Sequence, residues 1–137
     1  MRTTNFSAAP PMGQAGAQFL SESVYRSPWA LWRFIRRWPA MERRLRAAPG
    51  FCGIRNWYRF PLTLGMVVFF TDRAALLAFA HDAAHQAAMA WLVESGVERA
   101  NYIRFYDVAP SGYSSGDWQG RSCALPQVDR GGEFAGA

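Results

Sequence analysis

In three stretches of this chain side-chain character alternates with a two-residue period, a fourth is a short run apolar throughout, and among them lie two stretches with the longer period of a helix. Residues 18–25 put Phe19, Ser21, Ser23 and Tyr25 on one side and Leu20, Glu22 and Val24 on the other, which predicts a first strand. Ser27 before Pro28 is an N-cap with proline at the first helical position. Trp29, Trp32, Ile35 and Trp38 then recur at helical spacing as an inward stripe, continued by Met41, Leu45 and Ala48. Pro39 interrupts that stripe and predicts a kink or restart, because it lacks a backbone donor and biases Trp38 away from helical angles. Pro49-Gly50 ends the helix.

Residues 51–60 predict a second strand, with Ile54, Asn56, Tyr58 and Phe60 on one face and Arg55, Trp57 and Arg59 on the other. After a short turn at Pro61-Leu62-Thr63, residues 64–71 form a central strand, apolar on both faces. Asp72 caps a helix whose stripe is Leu76, Phe79, Ala80, Ala83, Ala87 and Trp91, and His81-Asp82 can break it so that Asp82 caps a second segment. A polar turn over 94–100 leads to a last strand at 101–108, where Tyr102, Arg104 and Tyr106 alternate with Ile103, Phe105 and Asp107. Strand, helix, strand, strand, helix, strand is the ferredoxin-like βαββαβ order of an α+β domain, an antiparallel sheet with helices on one face. The two-sided apolar character of residues 66–70 leaves the other face too apolar for one chain, so a homodimer through that face is expected.

Residues 1–15 are small, polar and aperiodic and read as a flexible arm; residues 16–110 form the domain, and 111–137 a Gly/Ser-rich tail with Trp118 as its main apolar residue. The 137-residue length suits one domain, and the 15% aromatic content calls for a large pocket or interface. All fifteen basic residues are Arg and none is Lys, so part of the +5 charge is a preference for arginine rather than a mark of nucleic-acid binding. Arg33, Arg36, Arg37, Arg43, Arg44 and Arg46 crowd the first helix among Trp29, Trp32 and Trp38, a composition that suits phosphate backbones or a membrane surface. With the tryptophans at core spacing and no nucleic-acid motif, the arginines read as a solvated face, and neither nucleic acid nor membrane is expected as a partner. Residues 62–71 are the longest uncharged apolar run, about half the length of a membrane span, and no hydrophobic signal region opens the chain; a cytoplasmic protein is expected. Cys52 and Cys123 have neither disulfide-framework nor metal spacing and are expected to remain thiols.

His81 and His85, four residues apart, would share a face of an unbroken helix, with Met89 a turn further on. Two readings stay open: solvated and packed histidines, or His85 lining a pocket as a base or ligand-orienting group. No third metal ligand can be placed beside them. Asn56, Tyr58, Arg104 and Tyr106 offer donors that could orient a phenolate or carboxylate in an aromatic cavity to which Phe79 and Trp91 would contribute.

The run FFTDRAALLAFAHDAAHQAAM, with Phe70, Asp72, Phe79 and His85, and the APGF at residues 48–51 resemble the dimeric α+β barrel superfamily, nearest its antibiotic-biosynthesis-monooxygenase-like and spheroidene-monooxygenase-like branches. Many relatives carry Trp at the end of the third strand, where this chain has Phe69 and Phe70. The resemblance implies a small monooxygenase-like enzyme holding an aromatic or polycyclic metabolite between sheet and helices, with His85 as the residue that carries the chemistry. It also admits a haem-binding member, with His85 on the iron, or an accessory protein that binds a hydrophobic ligand without turnover. Cofactor use is thus none or haem.

Overall fold

The computed structural model describes residues 4–113, and the chain follows the expected order. Its elements are β1 (Ala17–Tyr25), α1 (Pro28–Ala47), β2 (Phe51–Arg59), β3 (Thr63–Phe70), α2 (Arg73–Ala80), α3 (Ala83–Ser95) and β4 (Glu98–Asp107). The strands form one antiparallel sheet in the order β2-β3-β1-β4, the ferredoxin-like arrangement, with the helices on one face. Cys123, Trp118 and nearly all of the expected Gly/Ser-rich tail lie outside the described residues.

Register fixes what each face carries, because partners across a ladder point to the same side. Phe19 pairs with Val68 and Phe105, and Val68 with Ile54, so odd positions of β1 and β4 and even positions of β2 and β3 face the helices. Val68 and Phe70 are completely buried there, whereas Val67 and Phe69 point to the open side. The open side also carries Leu20, Glu22, Trp57, Arg59, Tyr102, Arg104 and Tyr106. At its centre Trp57 lies over Gly65, where a Cβ would stand 2.0 Å from the indole. The half-buried Glu22 accepts hydrogen bonds from Trp57 Nε1 at 3.3 Å and from Arg59 at 2.6 Å.

Two hydrophobic clusters hold the helices on the sheet. One joins Leu45 of α1 and Leu76 and Phe79 of α2 to Ala17, Phe19, Ile54, Val68 and Phe70. The other, at the far end, gathers Leu31, Phe34, Trp91 and Leu92 around Tyr25, Ala30 and Val97. The caps are those the sequence announces: Ser27 accepts from the Ala30 amide at 3.1 Å and Asp72 from that of Ala75 at 2.8 Å. Asp82 begins α3 after a real break at His81, accepting from Ala84 at 3.1 Å and from His85 at 3.4 Å.

Three expectations change. Helix α1 runs through Pro39 as a single element. Pro39 and Ile35, whose carbonyl loses its helical partner, both lie on the exposed side, where the loss of one such bond costs least. The inward stripe of α1 keeps the expected Trp38, Met41 and Leu45, but its first half is Ala30, Leu31 and Phe34 in place of Trp29, Trp32 and Ile35, which are 64%, 44% and 49% exposed. The helix has two adjacent apolar stripes, and the one that meets Phe19 and Tyr25 on the sheet wins. Finally, the segment expected as a flexible arm includes a short 3-10 turn, Pro11–Gln14, with Met12 over Gly53 on the open side and Ala9 buried.

The phase of α1 is open to direct measurement. Leu45→Ala removes a side chain 1% exposed and is expected to cost about 2–5 kcal/mol in urea unfolding. Trp29→Ala and Trp32→Ala should each cost less than about 1 kcal/mol.

Candidate functional site

Between the two clusters the helices stand off the sheet and enclose a cavity of about 470 Å³. Its floor is Phe19, Ser21, Ser23 and Tyr25 of β1 with Leu64 and Met66 of β3 and Asn101 and Ile103 of β4. Its walls are the inward face of α1, from Phe34 to Leu45, and of α3, from Ala84 to Leu92. Large side chains are missing where a core would have them: serines stand mid-strand on the floor, and Ala84, Ala87 and Ala88 line α3.

His85 lies in the first turn of α3, placed by the Asp82 cap. Its Nδ1 is 3.1 Å from the carbonyl oxygen of Ala80, and its ring packs 4.9 Å from that of Phe79. A carbonyl can only accept, so Nδ1 carries the proton of the neutral ring and Nε2 the lone pair. This is the tautomer a base or an iron ligand at Nε2 requires. His81, the C-cap of α2, is exposed and absent from the cavity wall. Among the described residues no group of three or more His, Cys, Asp or Glu is arranged to hold a metal ion.

A polar strip crosses the floor where β1 meets β4. Ser23 is paired with Asn101 and Tyr25 with Glu98, and the Asn101 amide donates to the Glu98 carboxylate at 2.7 Å. Burial pushes the phenol of Tyr25 well above the ordinary tyrosine range; the Glu98 charge adds to this, and a hydrogen bond with Ser23 works against it. Tyr25 is therefore a protonated donor throughout the physiological range. At the rim, Arg37 lies 4.2 Å and Arg33 5.6 Å over the ring of Trp91, so cation–π contacts tie α1 to α3 above the cavity. Arg44 reaches both oxygens of Asp82, at 3.1 and 3.2 Å.

Of the residues expected at the site, Phe79, His85 and Trp91 share the cavity wall. Asn56 and Tyr58 lie on the same side of the sheet, paired with Met66 and Leu64, but on the outer strand β2 and exposed; the Tyr58 hydroxyl donates to Pro61. Arg104 and Tyr106 lie on the open side, paired with Leu20 and Gln18, because alternation along β4 turns Asn101, Ile103 and Phe105 toward the helices. Ser21, Ser23, Tyr25, Glu98 and Asn101 were not anticipated. The signal for them was the pair of serines interrupting an otherwise aromatic face of the first strand. A second hollow, beside the ends of α1 and α2, has a volume of about 630 Å³ but is walled mainly by alanines. Its acids are already engaged, Asp72 in capping α2 and Asp82 in capping α3 and binding Arg44.

No protein-family model matches the chain, and no curated protein matches it in sequence. Solved structures do match in fold, the ferredoxin-like arrangement of helices on one antiparallel sheet. Rv0793 from Mycobacterium tuberculosis superposes with a TM-score of 0.61 at 15% identity, over 69% of this chain and 96% of that one. A putative antibiotic biosynthesis monooxygenase from Deinococcus radiodurans gives 0.61 at 10%, over 72% and 99%. SnoaB, a cofactor-independent oxygenase from Streptomyces nogalater, gives 0.54 at 11%, over 69% and 94%.

The hydrogen bond from Arg44 holds the Asp82 carboxyl below the ordinary range, outweighing slight desolvation, and the His85 and Ala84 amides lower it further. A carboxyl depressed on folding stabilises above its unfolded pKa and loses that contribution as pH falls through the folded one. Asp82→Asn keeps a good cap but removes the charge. Its melting temperature should lie below that of the unaltered protein at pH 7, and the two should converge as the pH falls through and below the ordinary carboxylate range. A pH-independent gap in thermal melts followed by circular dichroism would show that the charge is immaterial.

Proposed function

We propose that this protein is a small monooxygenase acting on an aromatic or polycyclic phenol held in the cavity, with His85 as the base that takes the phenolic proton. The carrying observation is an apolar cavity of about 470 Å³ whose wall includes a histidine with Nδ1 committed to the Ala80 carbonyl. Likeness in fold to an oxygenase described as cofactor-independent supports the reaction class. Proton transfer to Nε2 leaves an electron-rich phenolate, which reduces O₂; one oxygen atom stays on a ring carbon and the other leaves as water, the electrons coming from the substrate. The neutral phenol of Tyr25 can donate to the developing oxyanion, and Arg36, Arg37 and Arg44 attract the phenolate at the rim.

Haem is a second occupant favoured by the same tautomer. His85 Nε2 would hold the iron, Arg36, Arg37 and Arg44 would offset the charge of the group, and the haem would supply the oxygen chemistry. The absorption spectrum of the purified protein separates the two, since bound haem gives an intense near-ultraviolet band.

His85→Ala is expected to lower oxygen uptake with a panel of hydroquinones and polycyclic phenols by about 100-fold or more. The melting temperature should hardly move, because His85 lines a cavity and not a buried cluster. Unchanged uptake in the variant would remove His85 from the reaction. No uptake by the unaltered protein, together with tight ligand binding, would make it a carrier of the same class of molecule.

We also propose that two copies associate through their open faces, which carry Leu20, Trp57, Val67, Phe69, Tyr102 and Tyr106. Val67→Glu should then give monomers or aggregates in light scattering while secondary structure persists. Val68→Glu, on the buried side, should unfold the chain.

A further inference from the structure

The outer face of α1 presents a compact, largely exposed apolar ridge that belongs to neither hydrophobic cluster. Trp29, Trp32 and Ile35 are 64%, 44% and 49% exposed. The two indoles stack 4.7 Å apart, nearly parallel at 19°, and Arg36 lies 5.1 Å over the ring of Trp32. Around this ridge the charge is of one sign, with Arg26, Arg36, Arg37 and Arg43 all exposed. Glu42 is the single acid of α1, and its carboxylate is paired with Arg46 at 2.8 Å. Exposed aromatics of this size require an occupant, since water gains nothing from two stacked indoles and an isoleucine.

We propose that this ridge is a docking surface for an anionic lipid bilayer, on which α1 lies as an interfacial helix. Three features select that partner. Indole is the side chain best suited to the boundary between headgroups and acyl chains, and arginine stems reach from an apolar floor to phosphate. Trp29, Trp32 and Ile35 lie on one helix side and line neither of the cavities described above, an arrangement that fits a fluid layer better than a peptide or protein segment that needs a slot. Base stacking is disfavoured because the Trp32 ring is already engaged by Trp29 one turn back and by Arg36 one turn on. No helix of the described residues is long and apolar enough to cross a membrane, and surface attachment needs none. Arg36 and Arg37 belong both to the surface beside the ridge and to the cavity wall, so a bilayer docked there would lie next to the cavity.

The test is flotation of the full chain with vesicles of phosphatidylcholine, with and without phosphatidylglycerol. The unaltered protein should float with the anionic vesicles only, and less as salt is raised. Trp29→Ser with Trp32→Ser, and separately Arg36→Glu with Arg43→Glu, should each weaken binding by about tenfold or more, with unchanged circular dichroism. The proposal is overturned if the unaltered protein does not bind anionic vesicles, or if the tryptophan double variant binds them equally well. It is also overturned if that variant shrinks the particle on a sizing column, which would make the ridge a contact between copies. Preference for a single-stranded oligonucleotide over vesicles would overturn it as well.

Discussion

The cavity depends on small residues standing where a core would place large ones. A sealed, empty space of about 470 Å³ would cost on the order of 10 kcal/mol at the usual rate for buried voids, comparable with the whole stability of a domain. The subunit escapes that cost by keeping the space polar at one end and open at its rim. Ser21, Ser23, Asn101 and Glu98 give water something to bind, while the arginines of α1 keep the mouth hydrated. An apolar ligand that displaces this water meets Phe19, Phe34, Met41 and Phe79. The separation of the helix contacts into two clusters is the structural expression of the same choice, for one continuous core would have filled the gap.

Position along the chain then decides rigidity. The floor is the centre of a four-stranded sheet, with Val68 and Phe70 fully buried beneath α1 and α2. The wall supplied by α3 has no fully buried residue of its own and is held by the Asp82 cap, the Arg44 pair, the packing of Trp91 and Leu92 in the second cluster and two guanidinium contacts to Trp91. His85 sits at the capped end of that helix, where the cap and the Ala80 carbonyl both restrain it.

Much of this architecture is legible in the sequence because period two and helix caps are local signals. The faces of β1 follow from Phe19, Ser21, Ser23 and Tyr25 alternating with Leu20, Glu22 and Val24, and the broken helix follows from Asp82 after His81. The phase of α1 is not legible. In its first half Trp29, Trp32 and Ile35 run one residue out of step with Ala30, Leu31 and Phe34, and which set meets the sheet depends on residues far away in the chain. The same limit applies to β4: alternation separates Arg104 and Tyr106 from Ile103 and Phe105, but the pairing with β1 decides which set faces the helices. The floor serines are visible in the sequence, yet their meaning depends on α3 bringing alanines over them.

Gly65 illustrates how an absent side chain shapes a surface. Its backbone does not need glycine for a left-handed conformation, since the positive φ values belong to Gly50 and Gly96. What it supplies is thickness: the indole of Trp57 rests directly on the strand, and a single methyl would lift it. The middle of the open face is consequently level rather than ridged. If two copies meet through this face, each offers the flat of an indole at its middle rather than the tip of a side chain.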